Sequence, residues 1–392
     1  MSTLLQALEK RAVQSPEDIA LEGLGSSLSV SELLAQVRDV APLLTAGGYQ
    51  RVALLADNSP EWIVVDIACQ LEGICLVPLP TFFSTEQLAH AMHSAAVDLL
   101  IVQPEMEADL PADLDRSAAA FPLLSTLTAI PLTGSQGALI PEGTTKVTFT
   151  SGSTGNPKGV CLSFEHCLNV AGSIAKATGL RRPRHLCVLP LAVLLENISG
   201  VYGPLLVDGH TIAVPLEHLG FLGSSDLDPA KFLAALHQYQ PSTLILVPQL
   251  LTLLDVALAM GWAPPDSLQF IAVGGARVAP ALVERVRAQG LPVYEGYGLS
   301  ECASVVSLNS PGCDRSGTSG RVLDHVHVET VEGQLRVRGN SFLGYLNQPD
   351  TWFPEYVDTG DIATVDADGF VTIAGRAKNV LINSYGRNVS PE

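Results

Sequence analysis

The chain is short of positive charge. Its 392 residues carry 22 lysines and arginines against 40 aspartates and glutamates, a formal net charge of −18. Such a surface repels nucleic acid and anionic lipid, so neither is expected as a partner. Long apolar runs are also missing. Mean hydropathy is +0.29, yet no stretch reaches the roughly 18 apolar residues of a membrane-crossing helix. The opening MSTLLQALEKRAVQSPED places charges where an export signal needs apolar residues, and the chain is read as cytoplasmic. The seven cysteines are odd in number, scattered and without a C-x-x-C pair, which leaves no disulfide framework. Cys161, His166 and Cys167 lie close together but match no zinc spacing. There is no internal repeat and no low-complexity linker. A folded chain of this length buries roughly three quarters of its unfolded surface, enough for one large or two moderate domains.

What is present concentrates in one stretch. Residues 148–159 read Thr-Phe-Thr-Ser-Gly-Ser-Thr-Gly-Asn-Pro-Lys-Gly, five hydroxyl residues and three glycines around Lys158. Such a loop offers hydroxyl donors, bare backbone N–H groups and one fixed cation to a polyphosphate. Glycine lets the backbone approach the phosphate oxygens closely. The spacing differs from the G-x-x-x-x-G-K-[ST] loop of other nucleotide enzymes.

Around this loop, apolar runs of strand length alternate with helix-like segments. Candidate strands are 52–56, 99–102, 146–150, 186–189, 211–214, 243–247, 269–273 and 293–296. Ser59-Pro60 and Asp228-Pro229 each read as an N-cap followed by proline in the first turn. Ser84 with Gln87 reads as a capping box, and 278–288 as a helix stopping near Gly290. Alternation of this kind implies an α/β fold, with layered, largely parallel sheets flanked by helices. Ligands in such folds sit beyond the carboxyl ends of strands. From about Gly317 the segments shorten and alternate, with Asp368-Gly369 as a hairpin signal, which predicts a small antiparallel β subdomain over about 317–377. Residues 104–118 and 131–145 read as loops.

The loop at 148–159 resembles the phosphate-binding loop of the adenylate-forming superfamily, which includes acyl-CoA synthetases, peptide-synthetase adenylation domains and firefly luciferase. Three further motifs follow in that family's order: Tyr294-Glu-Gly-Tyr-Gly-Leu-Ser-Glu301, Tyr356-Val-Asp-Thr-Gly-Asp361, and Gly375-Arg-Ala-Lys378 with Gly386-Arg-Asn-Val-Ser-Pro391. The resemblance covers essentially the whole chain and is strongest to acyl-CoA synthetases. It implies a large N-terminal domain over 1–377, with a hinge at Lys378 and the start of a second domain over 378–392. It also implies activation of a carboxylic acid by ATP, giving acyl-adenylate and pyrophosphate. Thr150, Ser151, Gly152, Ser153, Thr154, Gly155 and Lys158 would hold phosphates. Glu301 would hold Mg²⁺, a hard cation that prefers oxygen ligands, and Ser300 would meet the α-phosphate. Lys158, Ser300 and Glu301 are thus the catalytic candidates. Tyr297 and Gly298 on one side, with Gly275 and Ala276 on the other, would enclose adenine. Asp361 would take the ribose hydroxyls, and Arg376 the ribose or α-phosphate.

The acid pocket is expected from Leu189-Pro-Leu-Ala-Val-Leu-Leu-Glu196, which resembles the L-P-L-A-H-x-x-E segment of medium- and long-chain acyl-CoA synthetases. Val193 stands where those enzymes often carry histidine. Neither Ala192 nor Val193 can pair an ammonium group, which is costly to bury alone, so an aliphatic or aromatic acid is favoured over an amino acid, with the aliphatic acid leading. Ala192, Val193, Gly274, Gly275 and Gly296 form the expected pocket. The acceptor is CoA or the phosphopantetheine of an acyl carrier protein. The basic cluster Arg181-Arg182-Pro183-Arg184 is either a solvated loop or a contact for CoA or a carrier. The resemblance implies a small C-terminal domain with a second lysine, which would follow Glu392. The chain is therefore expected to bind ATP and acyl-adenylate but to turn over poorly, a non-catalytic nucleotide- or acyl-binding remnant being the alternative.

Overall fold

A computed structural model describes residues 3–134, 137–150, 157–223 and 226–377, together with the short strands Leu381–Ile382 and Asn388–Val389. The helix starts legible in the sequence form as capped helices. Ser59 accepts the N–H of Trp62 ahead of helix Pro60–Glu72, and Asp228 accepts those of Ala230 and Lys231 ahead of Pro229–Tyr239. Ser84 and Gln87 close a reciprocal capping box, and Ser29 with Glu32 repeats the device ahead of Val30–Ala46.

Two large sheets dominate. One runs in the spatial order Gly344–Tyr345, Lys158–Leu162, Lys146–Thr150, Cys75–Pro78, Arg51–Leu55, Leu99–Val102, Leu127–Pro131, Phe121–Leu124, parallel through its middle and antiparallel at both edges. The other runs Arg321–Val322, Ser307–Leu308, Val293–Tyr297, Phe270–Val273, Thr243–Leu246, Arg184–Leu186, His210–Ile212, Ile19–Glu22, Ser27–Ser29, again with a parallel centre. Helices Val30–Ala46, Pro60–Glu72 and Phe164–Thr178 lie between the sheets, and their apolar faces share one core with strands of both. Helices Pro229–Tyr239, Pro248–Ala259 and Pro280–Ala288 cover the outer face of the second sheet, and Thr85–Ser94 covers that of the first. A separate antiparallel sheet holds Val326–Val331, Gln334–Gly339, Tyr356–Val365 and Val371–Arg376, with the last pair joined through Asp368-Gly369. Among the described residues no helix is long and apolar enough to cross a membrane.

Most strand ends fall within a residue or two of the sequence reading, and some differences carry a physical reason. The strand expected over 186–189 lies at Arg184–Leu186. Beyond it, Leu189 N–H turns to the Glu196 carboxylate and Leu191 N–H to Asn58, so the backbone leaves the sheet before Pro190. The helix expected from 278 starts at Pro280, which sits in its first turn. Within the expected loops, Pro104–Asp109 forms a 3₁₀ turn and Pro131 ends the strand Leu127–Pro131, which lies one place in from the sheet edge.

Candidate active site

The carboxyl ends of the parallel strands open into one cavity of about 1090 Å³. Its walls come from Thr148–Thr150, Ile245 and Val247, Ala272–Gly275, Gly296–Glu301 and the segment Val188–Leu195. Strand ends in two sheets and an edge of the antiparallel sheet meet there, through Tyr356–Thr359 and Arg376. That volume, with an apolar wall and a few converging polar groups, suits small-molecule binding.

Most of the expected residues converge on this space. Thr150, Gly275, Tyr297, Gly298, Ser300, Glu301 and Arg376 line it, as do Ala192, Val193, Gly274 and Gly296. Lys158 opens strand Lys158–Leu162, and its ammonium lies 5.5 Å from the centre of the Tyr345 ring, itself in the lining. Ala276 and Asp361 are not in the lining, but Asp361 is tied to it. The Tyr297 hydroxyl donates to Asp361 Oδ2 at 2.6 Å, and Arg376 Nε meets Oδ1 at 2.9 Å. Burial and the Asp361 charge push the Tyr297 phenol up, which keeps it a neutral donor. Ser151, Gly152, Ser153, Thr154, Gly155 and Lys378 lie outside the described residues.

Gly298 is held to glycine by its surroundings, since a Cβ there would fall on the Ser304 carbonyl. That contact folds the Gly296–Ser300 backbone flat against the following turn and sets Ser300 and Glu301 at the cavity wall. The Glu301 carboxylate accepts the Tyr345 hydroxyl at 2.7 Å through Oε1. Its other oxygen takes no side-chain hydrogen bond among the described residues. A cavity-lining carboxylate with one oxygen free of side-chain bonds suits Mg²⁺, which keeps several waters and takes few protein ligands.

The apolar wall is fixed from behind. Glu196 is fully buried and accepts Leu189 N–H at 2.9 Å; its other oxygen meets His185 Nε2 at 2.7 Å. His185 Nδ1 meets the Thr243 hydroxyl at 2.9 Å, and the Cys187 thiol also bonds Glu196. Burial and the Glu196 charge push that thiol well up, so it stays protonated. His185, Cys187 and Glu196 could be mistaken for metal ligands, since their ligand atoms lie within 4.8 Å of one another, but these hydrogen bonds account for the cluster. Asn58 grips the same wall, donating to the Leu189 carbonyl and accepting Leu191 N–H.

Sequence reasoning did not single out Tyr345. A glycine–tyrosine pair in a loop-like stretch carries no signal until pairing with Lys158–Leu162 brings it to the cavity. Glu196 stood inside a quoted motif, but its role follows only from the turn that aims it at Leu189. The basic cluster at 181–184 is largely spent on structure. Arg182 pairs with Asp18 and Arg184 with Glu22, which ties the first strand hairpin to the sheet.

The fold, two parallel-centred sheets with a separate antiparallel sheet around one cavity, is that of adenylate-forming ligases. The chain belongs to the AMP-binding enzyme family, whose model matches residues 8–346. It is thus a member of the adenylate-forming group that its motifs resemble. It is 28% identical over 401 residues to a 2-succinylbenzoate–CoA ligase of Staphylococcus epidermidis, which covers 98% of this chain and 79% of that one. It is 29% identical over 417 residues to a feruloyl-CoA synthase of Amycolatopsis, with 97% and 80% covered. Its fold matches o-succinylbenzoate CoA synthetase of Bacillus subtilis, solved with ATP and magnesium, at a TM-score of 0.74 and 23% identity. That match covers 98% of this chain and 82% of the other.

Proposed function

We propose that this chain activates a monocarboxylic acid with an apolar body, forming acyl-adenylate from ATP and passing the acyl group to CoA. The observation that carries this is one cavity lined both by polar groups, on Thr150, Tyr297, Ser300, Glu301 and Arg376, and by an apolar wall that includes Ala192, Val193 and Gly274.

In the first half-reaction a carboxylate oxygen bonds the α-phosphorus as the bond to the bridging oxygen breaks and pyrophosphate leaves. Both reactants are anions, so alignment and charge neutralisation carry the rate. Lys158, Thr150 and the loop residues Ser151 to Gly155 hold the departing phosphates in this reading. Mg²⁺ held by Glu301 would supply charge compensation at the phosphates. Ser300 meets the α-phosphate, Tyr297 and Gly298 bound the adenine opposite Gly275 and Ala276, and Asp361 with Arg376 takes the ribose. The domain reading, with one large unit over 1–377 and a hinge at Lys378, belongs to the same proposal. In the second half-reaction a thiol attacks the acyl carbonyl and AMP leaves. The relatives are CoA ligases by name, which supports CoA over a carrier protein.

The body of the acid follows from charge. Arg376 is the one cation among the described residues that line the cavity, and Asp361 already pairs it. The other charged lining groups, Asp57, Glu217, Asp226, Glu301 and Asp358, are acidic. A second carboxylate on the substrate would lose its water without gaining a partner. The acid of the staphylococcal relative carries two carboxyl groups, so this chain is expected to differ from it. The relatives' named acids are aromatic, which weighs for a ring over the aliphatic body read from Val193.

The test is acid-dependent pyrophosphate release, with acid-dependent tightening of ATP binding as a second readout. Benzoates, cinnamates and fatty acids of graded length are compared with dicarboxylates and amino acids. Monocarboxylates with uncharged bodies are expected to lead by at least tenfold. Response to amino acids alone would remove the reading.

A further inference from the structure

Glu301 lines the cavity and Lys158 lies beside it across the Tyr345 ring, two opposite charges each with a task that needs it free of the other. One must meet a phosphate, the other a metal cation. Side chains of opposite charge in a water-poor site attract each other several-fold more strongly than in bulk water. Tyr345 stands where that pairing is controlled. Its hydroxyl donates to Glu301 Oε1 at 2.7 Å, and its ring face carries the Lys158 ammonium 5.5 Å from the ring centre. Burial and the Glu301 charge push the phenol up, so it remains a proton donor at neutral pH.

The tyrosine is itself fixed from several sides. Its strand pairs antiparallel with Lys158–Leu162, with Tyr345 opposite Val160. Its N–H goes to the Thr351 hydroxyl at 2.9 Å, its carbonyl accepts Trp352 Nε1–H at 3.0 Å, and Phe342 packs edge-on at 4.9 Å. Phe342 N–H in turn holds the Glu301 carbonyl at 2.7 Å.

We propose that Tyr345 is a positioning residue that separates Lys158 from Glu301, holding the lysine over its ring for phosphate and turning one carboxylate oxygen outward for the cation. This rests on the adenylate-forming reading above. Loss of the hydroxyl alone releases Glu301. Loss of the whole ring lets the lysine and the carboxylate neutralise each other. A cation over an aromatic face is held more loosely than by a carboxylate, which leaves Lys158 able to move onto an incoming phosphate.

The experiment measures ATP binding by calorimetry on the 392-residue chain, first in EDTA and then across a Mg²⁺ titration. Y345F is expected to raise the half-saturating Mg²⁺ three- to tenfold and to change affinity in EDTA far less. Y345L is expected to weaken ATP in EDTA about tenfold, because Lys158 is drawn to Glu301. The double variant Y345L/E301Q is expected to regain most of that affinity, which a merely structural role for the ring would not produce. E301Q alone reports on the underlying reading. If it raises the Mg²⁺ requirement while Y345F behaves as wild type, the inference on Tyr345 is overturned and the reading of Glu301 stands. Absence of rescue in the double variant also overturns it. If the wild-type chain binds no ATP, both fall together.

Discussion

Glu295 shows how much a single side chain here depends on its surroundings. It sits on strand Val293–Tyr297, half-buried, with Ser319 donating to its carboxylate at 3.2 Å. Burial pushes its carboxyl from the usual 4.5 up to about 7, against the pull of Ser319, Arg277 and Arg287. The folded state therefore keeps a proton that the unfolded chain has lost. The contribution of Glu295 to stability is greatest below about pH 4.5, falls as pH rises towards 7, and is level above that, where both states are ionised. E295Q keeps an acceptor for Ser319 and removes the ionisation. It is expected to melt a few degrees above wild type at pH 8 and close to it at pH 4.5. Equal gains at both pH values would show that ionisation is not the cause. At this scale the motif residues were legible because chemistry restricts them: a carboxylate after a Gly-rich turn, a lysine after a hydroxyl-rich loop. Tyr345 and Glu295 were not, because their roles come from neighbours far off in sequence, Glu301 and Ser319.

Elements were legible where capping chemistry and apolar runs agree, as at Ser59-Pro60 and over Thr243–Leu246. The segment after Arg184–Leu186 shows why others were not. Its apolar run continues past the strand, but buried hydrogen-bonding groups on Glu196 and Asn58 take its backbone out of the ladder. The helix that follows contains a π turn over Asn197–Tyr202, which no periodicity predicts, and such turns favour functional sites. Gly200 lies within it. A Cβ at that position would come within 2.6 Å of His185 Nε2 and would also press on the Glu196 carboxylate. G200A is therefore expected to displace the pair that anchors the apolar wall. Overpacking of this kind costs about 1–3 kcal/mol. A drop of several degrees in melting temperature with weaker acid-dependent binding is the expected result, and unaltered ATP binding in the absence of acid would locate the damage in the wall.

The whole molecule is two sheets pressed on a shared helical layer, and the polar group at its centre sets how they hold together. Lys146 and Asp66 are almost fully buried and pair at 2.9 Å. Lys146 also bonds Asn197, and the Lys146 ammonium meets the Tyr202 hydroxyl at 2.7 Å. Tyr202 and Asn197 return bonds to Asp66 at 2.6 and 2.8 Å. Burial and the Asp66 charge push the Tyr202 phenol well up, fixing it as a donor. The lysine begins the strand that leads to the phosphate loop, and Asn197 and Tyr202 belong to the turn behind the acid wall. The cluster thus joins the two halves of the proposed site through a region where all four side chains are almost fully buried. Removing one member of a buried pair costs about 3–5 kcal/mol because the other charge stays buried. K146M is expected to lower the melting temperature by several degrees through that loss. It is also expected to uncouple the sheets. Trp62 lies in the layer beside the first sheet, and Trp262 packs on the outer face of the second. Variants that lack Trp352 and keep only one of these two tryptophans report each half separately. In the K146 background their unfolding midpoints are expected to coincide, and in K146M to separate, with Trp62 moving first because Asp66 shares its helix. Midpoints that fall together in K146M would mean that the shared apolar core alone couples the two sheets, with the buried ion pair adding stability but no communication between them.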